Sequence, residues 1–212
     1  MMKRSSSLLF WGLSMIIAPL LQAISTFFWE GNGQYSIGIT GGTLVVLSTV
    51  FWIPAFIGLF DLLREKMPLY ATWGQLPAFY GCVGGALFGF RDIYAVTFHI
   101  AHQTELQAFS AFEWNYNLTL FWPGYLFVLS LLILSLMLMW KKMVPWWIGT
   151  LLCLGALAFP VSRIPRIELI AHVADILLLI PLLFLGWTLL RGQFTGPQAV
   201  SSPMAHPHNI AE

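Results

Sequence analysis

The chain has 212 residues, of which 58% are hydrophobic and only 9% are Asp, Glu, Lys or Arg, and its mean hydropathy is +0.77. A soluble domain of this length has too little interior to bury so much apolar surface, so the composition indicates an integral membrane protein. The formal net charge of +1 provides no basic face that could neutralise phosphates, which excludes nucleic acid as a partner.

Six apolar stretches follow one another along the chain, separated by short polar connections. They cover residues 8–28, 38–60, 71–90 or beyond, 118–140, 146–161 and 167–190. A helix needs about 20 apolar residues to cross ~30 Å of hydrocarbon at ~1.5 Å per residue, a length that five stretches reach and 146–161 approaches. We therefore predict an all-α bundle of six transmembrane helices, residues 1–191, embedded in the lipid bilayer. Residues 192–212 contain Gly, Pro and Ser without periodicity, which predicts a disordered cytoplasmic tail.

Basic residues flank the predicted spans mainly on one side of the membrane. That side carries Lys3, Arg4, Arg64, Lys66, Lys141, Lys142 and Arg191. Arg163 and Arg166 lie on the other side. The positive-inside rule then predicts that both termini are cytoplasmic, and we expect a multi-pass protein of the bacterial cytoplasmic membrane.

The first span has a second interpretation. Lys3 and Arg4, the apolar run from Leu8, and the small residues Ala23 and Ser25 are also typical of a secretory signal peptide. Cleavage would leave five spans. The apolar run continues through Phe28, which favours an uncleaved span.

The third stretch carries glycines at a spacing of four residues. Gly81, Gly85 and Gly89 fall on one helical face, where small residues allow another helix to approach closely. The alternative is a passage or hinge for a flat ligand. Close packing is the more common use of such a stripe, so we predict a packing face.

The last span carries three ionisable residues on one face. Glu168, His172 and Asp175 stand four and three residues apart, which is the spacing of neighbours on a helix. Asp175 lies ~12 Å into the span at ~1.5 Å per residue. A carboxylate there costs about 2.5–3.5 kcal/mol, so we expect it to face the interior and either to have a partner or to be protonated. Arg91 is the candidate to neutralise Asp175 or Glu168.

A second polar stripe follows the glycines. Asp92, His99 and His102 lie at offsets of seven and three, on one face if the segment is helical, and Arg91 precedes them. Two placements remain open. The segment either completes a long tilted helix, or it turns and lies in the membrane interface as an amphipathic helix.

Together these residues predict a polar pocket in the extracytoplasmic half that binds a metal, haem or another small ligand. His99, His102 and His172 are the candidate metal or cofactor ligands, because imidazole binds zinc, copper and iron. The candidate catalytic residues are Asp175, His172, Glu168, Asp92 and Arg91. No motif names a cofactor or a reaction, and enzymatic use stays open. The alternative is a non-catalytic membrane subunit or proton-coupled transport accessory whose polar network is structural.

Overall fold

The computed structural model describes residues 6–29 and 37–192, and every regular element in these ranges is helical. The helices are α1 (Ser6–Thr26), α2 (Gly38–Asp61), α3 (Pro68–Trp73), α4 (Gln75–Thr97), α5 (His102–Ala111), α6 (Glu113–Tyr116), α7 (Trp122–Trp140), α8 (Trp146–Arg163) and α9 (Glu168–Arg191). A π-helical turn, Asn117–Phe121, joins α6 to α7. The predicted all-α class is confirmed for the described residues. Lys3, Arg4 and the predicted tail from residue 193 onward lie outside them.

Five helical segments in the described ranges are long and apolar enough to cross a membrane. They are α1, α2, the continuous segment Glu113–Trp140, α8 and α9. Helix α4 has 23 residues, but four glycines, Arg91 and Asp92 lower its mean hydropathy, and it is not among the segments that are apolar enough to cross a membrane. Several apolar helices indicate a multi-pass membrane protein, with five of the six predicted stretches supported as spans.

The long helices form a closed ring in chain order. Helix α1 packs against α2, α2 against α4, α4 against α7, α7 against α8, α8 against α9, and α9 returns to α1. Short connections make successive helices of the ring antiparallel. The bundle therefore has two ends. We call one the lysine end, where Lys66 Nζ donates to the carbonyl oxygen of Lys141 at 3.2 Å, and the other the cavity end, where α8 ends at Arg163.

Large side chains fill the ring toward the lysine end. Met15, Phe56, Phe60, Leu134, Leu138, Leu182 and Leu185 are all fully buried there. Nearer the middle, Trp52 is 1% exposed and meets the ring of Phe127 edge-on at 5.1 Å. In a bilayer the lipid tails are as apolar as these side chains, so close packing rather than escape from water holds the helices together.

Glycines bring neighbouring helices into backbone contact. Helices α2 and α4 cross at Gly42 and Gly89, where a Cβ atom on either residue would lie 2.6 Å from the carbonyl oxygen of the other. Helices α1 and α9 cross in the same way at Gly12 and Gly186. Gly81 lies against the backbone of Phe127. The interpretation of the glycine stripe as a packing face is thus confirmed at Gly81 and Gly89.

Two glycine-to-alanine variants distinguish the effect of close packing on the melting temperature from the effect of helix propensity. Gly89→Ala should lower the melting temperature in detergent, because the new methyl group meets the Gly42 carbonyl and must push α2 and α4 apart, at a cost of about 1–3 kcal/mol. Gly124→Ala is the matched control, because its Cβ would meet only Phe88 Cε2 at an ordinary 3.4 Å. Both variants gain the same helix propensity, ~1 kcal/mol. Equal melting temperatures would contradict the close crossing.

Candidate functional site

A cavity of about 420 Å³ lies inside the ring toward the cavity end. Its deeper walls are apolar and aromatic, formed by Val45, Trp52, Phe88, Phe121, Phe127, Val128 and Phe159. Its polar residues include Arg91, Asp92, His102, Arg163 and Arg166. The cavity therefore combines an apolar body with a charged end.

Glycines and one irregular turn border the part of the ring that is not filled. Gly81, Gly85, Gly89 and Gly124 line the cavity, but only Gly124 of these four has room for a Cβ, because a Cβ on the others would meet α7 or α2. On α4 the lining runs from Gly81 to Asp92, which is ~16 Å of helix at ~1.5 Å per residue. The π-helical turn before α7 adds Phe121 to the wall, and such turns are frequent at functional sites. The cavity is thus elongated along the bundle axis.

A buried ion pair joins α8 to α9 beside the cavity. Arg163 Nη2 donates to Asp175 Oδ1 at 2.6 Å, and Thr26 Oγ1 on α1 donates to Oδ2 at 2.6 Å. Asp175 is 2% exposed. The guanidinium of Arg163 also lies over the ring of Phe159, 3.9 Å from its centroid. Three neighbouring helices therefore meet at one carboxylate.

The expectation that Arg91 neutralises Asp175 or Glu168 is wrong. Arg163 is the partner of Asp175, because the turn after α8 places the last residue of that helix beside the second turn of α9. Arg91 lies on α4 and pairs with Glu105 and Asp92 instead. Helices α4 and α9 are not neighbours in the ring, which passes from α4 through α7 and α8 before it reaches α9.

The other two members of the predicted α9 stripe lie away from the cavity lining. Glu168 is exposed, and its Oε1 lies 3.7 Å from His172 Nε2. The ring of His172 packs on Phe27 with centroids 4.5 Å apart. The predicted face exists on α9, but Asp175 is the member that reaches the ion pair next to the cavity.

A second ion pair ties α5 to the end of α4. Arg91 donates from Nε to Glu105 Oε1 at 3.1 Å and from Nη2 to Oε2 at 2.5 Å, a bidentate pairing. Arg91 Nη1 also lies 3.3 Å from Asp92 Oδ1. The backbone N–H of Ile37 donates to Asp92 Oδ2 at 3.4 Å. Glu105 thereby holds α5, whose residues Leu106 and Phe109 line the cavity.

The segment after α4 turns rather than extending the helix. Helix α4 ends at Thr97, His99 adopts a left-handed φ of 53°, and α5 begins at His102. Of the two placements left open by the sequence, the continuous long helix is therefore wrong, and Asp92, His99 and His102 do not share one helical face. Asp92 and His102 both line the cavity, whereas His99 is exposed and lies outside its lining.

Arg166 completes the charged end from the connection between α8 and α9. It lines the cavity and interacts electrostatically with Asp92. Burial lowers the pKa of the Arg166 guanidinium, and the Asp92 carboxylate opposes that shift. Its φ of 57° is left-handed, a conformation that costs energy outside glycine and that functional sites often retain.

The predicted histidine ligands are not brought together as a metal site. Within residues 6–29 and 37–192, no three His, Cys, Asp or Glu side chains are grouped so that they could hold a metal ion. Of His99, His102 and His172, the cavity lining includes His102. The donor set that does converge on the cavity is rich in guanidinium groups, which do not ligate metals.

Sequence reasoning missed Arg163, Arg166 and Thr26 as members of the site. Arg163 and Asp175 are 12 residues apart across one helical hairpin, and both were placed on the same side of the membrane. The sequence does indicate this pair, because Arg163 ends one span and Asp175 lies in the next span of the same hairpin. No sequence pattern indicates the contact of Thr26, because it depends on the packing of α1 against α9.

No protein family, curated protein or solved structure matches the chain. An all-helical fold by itself hosts many unrelated functions. Function is therefore argued from the cavity and the residues around it.

Breaking the pair between α8 and α9 should be destabilising, because it leaves a buried charge without its counterion. Asp175→Asn alone and Arg163→Gln alone are each expected to cost about 3–5 kcal/mol of unfolding free energy, and the double variant less than the sum. Melting temperatures of the four proteins in detergent measure the coupling. Strictly additive losses would contradict a direct interaction.

Glu105→Gln should loosen α5 while the rest of the bundle remains folded. Loss of the charge-assisted pairing with Arg91 removes about 1.5–3 kcal/mol of local stabilisation, so amides 102–111 should exchange hydrogen at least about tenfold faster. Glu113→Gln is the control, because Glu113 is exposed at the start of the next helix. Unchanged exchange in α5 would show that the pairing does not hold the helix.

Proposed function

We propose that this protein crosses the membrane six times with both termini in the cytoplasm, and that it binds a small, largely apolar ligand in the cavity, whose charged end faces the extracytoplasmic side. The single observation that carries the proposal is the elongated cavity of about 420 Å³ inside the ring. The proposal assigns binding and no reaction.

The cavity has the character of a ligand site rather than of a packing defect. Ligand sites typically measure about 300–1,000 Å³ and combine apolar or aromatic walls with a few convergent polar groups. This cavity has aromatic walls at Trp52, Phe88 and Phe127 and polar groups at one end. Close-packed interiors seldom leave a void much larger than a water molecule, so a space of this size supports a bound occupant.

Helix α5 supports the same proposal as a cover for the charged end. Its residues His102, Leu106 and Phe109 contribute to the lining. Glu105 ties it to Arg91, while no α5 residue is itself buried. Phe109 also packs on the aromatic ring of Phe121, with centroids 5.5 Å apart. A cover that is held by an ion pair and an aromatic contact can open for a ligand without disturbing the ring.

The sixth span in this proposal is α4. Its 23 residues are long enough to cross the hydrocarbon, and it occupies a position in the ring between α2 and α7. Arg91 and Asp92 lie within two turns of its end and pair with each other and with Glu105 or Ile37, so the charges need not face lipid. The same side of the membrane would carry Arg163 and Arg166.

The second candidate is a non-catalytic membrane subunit whose polar network only sets helix packing. It is favoured by the pairing of Asp175 with Arg163 and of Glu105 with Arg91. The two candidates differ in whether the cavity binds a ligand. If the polar network only sets helix packing, the cavity needs no ligand and should show no saturable ligand binding.

Quenching of Trp52 tests the proposal directly. Trp52 lines the cavity and is 1% exposed, so a bromine atom reaches it from within the cavity and not from the surrounding lipid. Titration with ω-bromododecanol should quench wild-type fluorescence saturably, and subtraction of the Trp52→Phe signal isolates this component from the remaining tryptophans.

Filling the cavity should abolish this quenching. Gly124→Leu places a side chain in the lining and should weaken ω-bromododecanol binding at least about tenfold, or ~1.4 kcal/mol. Leu129→Phe is the control, because it adds bulk to a residue that is 47% exposed on the other face of α7. Absence of saturable Trp52 quenching in the wild type would reject the proposal in favour of the structural subunit.

A further inference from the structure

Positively charged side chains outnumber negatively charged ones in the cavity lining. Arg91, Arg163 and Arg166 are all part of the lining, and among the described carboxylates only Asp92 is. The lining thus has three guanidinium groups for one carboxylate, while Asp175 and Glu105 pair with Arg163 and Arg91 from outside the lining. The three arginines and three carboxylates balance in number, so the position of the guanidinium groups nearer the cavity, rather than a net charge, is what favours an anion there.

Two further carboxylates hold the arginines from outside the lining. Asp175 binds Nη2 of Arg163 and is itself fixed by Thr26. Glu105 binds Nε and Nη2 of Arg91. Because a guanidinium carries five N–H donors in a rigid plane, such a contact orients the group while the cationic plane still borders the cavity.

Arg166 also lines the charged end of the cavity, and its backbone adopts an unfavourable conformation there. It reaches the lining from a connection whose backbone is left-handed at that residue. A non-glycine residue in this region is disfavoured, and sites retain such conformations where they place a side chain for function. Arg166 and Arg163 therefore border the cavity from one connection, with Arg91 on α4.

The other end of the cavity offers no charged partner among its described residues. It is bordered by Gly81, Thr49, Trp52 and Phe127, about 15 Å along α4 from Arg91 at ~1.5 Å per residue. An occupant that satisfies both ends must be elongated, charged at one end and apolar along the rest.

We infer that the occupant is a single-chain amphiphile with an anionic head group, whose head is bound by Arg163 and Arg166 and whose chain runs toward Trp52. This inference rests on the proposed function, because it requires that the cavity be a ligand site. A carboxylate or phosphate head accepts hydrogen bonds from guanidinium groups in a bidentate manner, which a neutral head does not. The desolvation of the head would be compensated by groups that are already oriented.

The test compares two probes that differ only in the head group. ω-Bromododecanoate and ω-bromododecanol are titrated at a pH where the acid is ionised, and the Trp52 component of quenching is followed. The wild type should bind the carboxylate at least about tenfold more tightly than the alcohol. Arg166→Gln should remove this preference, so that the ratio of the two affinities falls to about one.

The controls separate this inference from the proposed function. Arg64→Gln changes a half-exposed arginine at the lysine end and should keep the wild-type preference. Equal wild-type affinities for both probes would overturn the anionic head group while the cavity remained a ligand site. A preserved preference in both Arg166→Gln and Arg163→Gln would also overturn it. Failure of both probes to reach Trp52 would remove the proposed function and the inference together. The wild-type comparison decides the question even where a variant does not fold.

Discussion

The contact between Arg163 and Asp175 is the interaction on which the arrangement of this protein depends. It joins α8 to α9, and the hydroxyl of Thr26 on α1 accompanies it, so three consecutive members of the closed ring meet at one buried carboxylate. A lone carboxylate at that depth would be costly, and a lone guanidinium equally so. The pairing relieves both costs and leaves Arg163 on the border of the cavity. Arg163 therefore belongs both to the ion pair and to the wall of the cavity.

Close packing and open space arise from the same residue type in this ring. Gly42 and Gly89 let α2 and α4 touch through their backbones, which matters in a bilayer because apolar side chains gain little by leaving lipid. On the inner side of α7, Gly124 leaves room that side chains fill elsewhere in the bundle. Toward the lysine end Phe56 and its neighbours occupy that interior. The ring is thus solid at one end and hollow toward the other.

The hollow end of the ring also contains most of the charged side chains near the cavity, and there is a physical reason for this. Groups such as Asp92 and Arg91 need partners rather than lipid, and the end of the ring under α5 supplies them through Ile37 and Glu105. Arg163 and Arg91 border the cavity themselves, whereas the carboxylates of Asp175 and Glu105 that pair with them lie outside its lining. An apolar space that ends in fixed guanidinium groups is suited to an amphiphile, and less suited to a metal ion.

The sequence by itself determined the helical class of the protein and its several apolar, membrane-crossing segments. Length and hydropathy predict five of the six long helices within a few residues of their observed ends, because helix length is set by local composition, whereas α4 continues to Thr97. Spacing placed Asp175 on an inward face for the same reason. Tertiary structure alone decided that Arg163 rather than Arg91 is its partner, that His99 and His102 leave the helix of Asp92, and that the glycine face borders a cavity. These outcomes depend on which helices are neighbours in the ring and where α4 turns, and contacts between distant segments leave no periodicity in the chain.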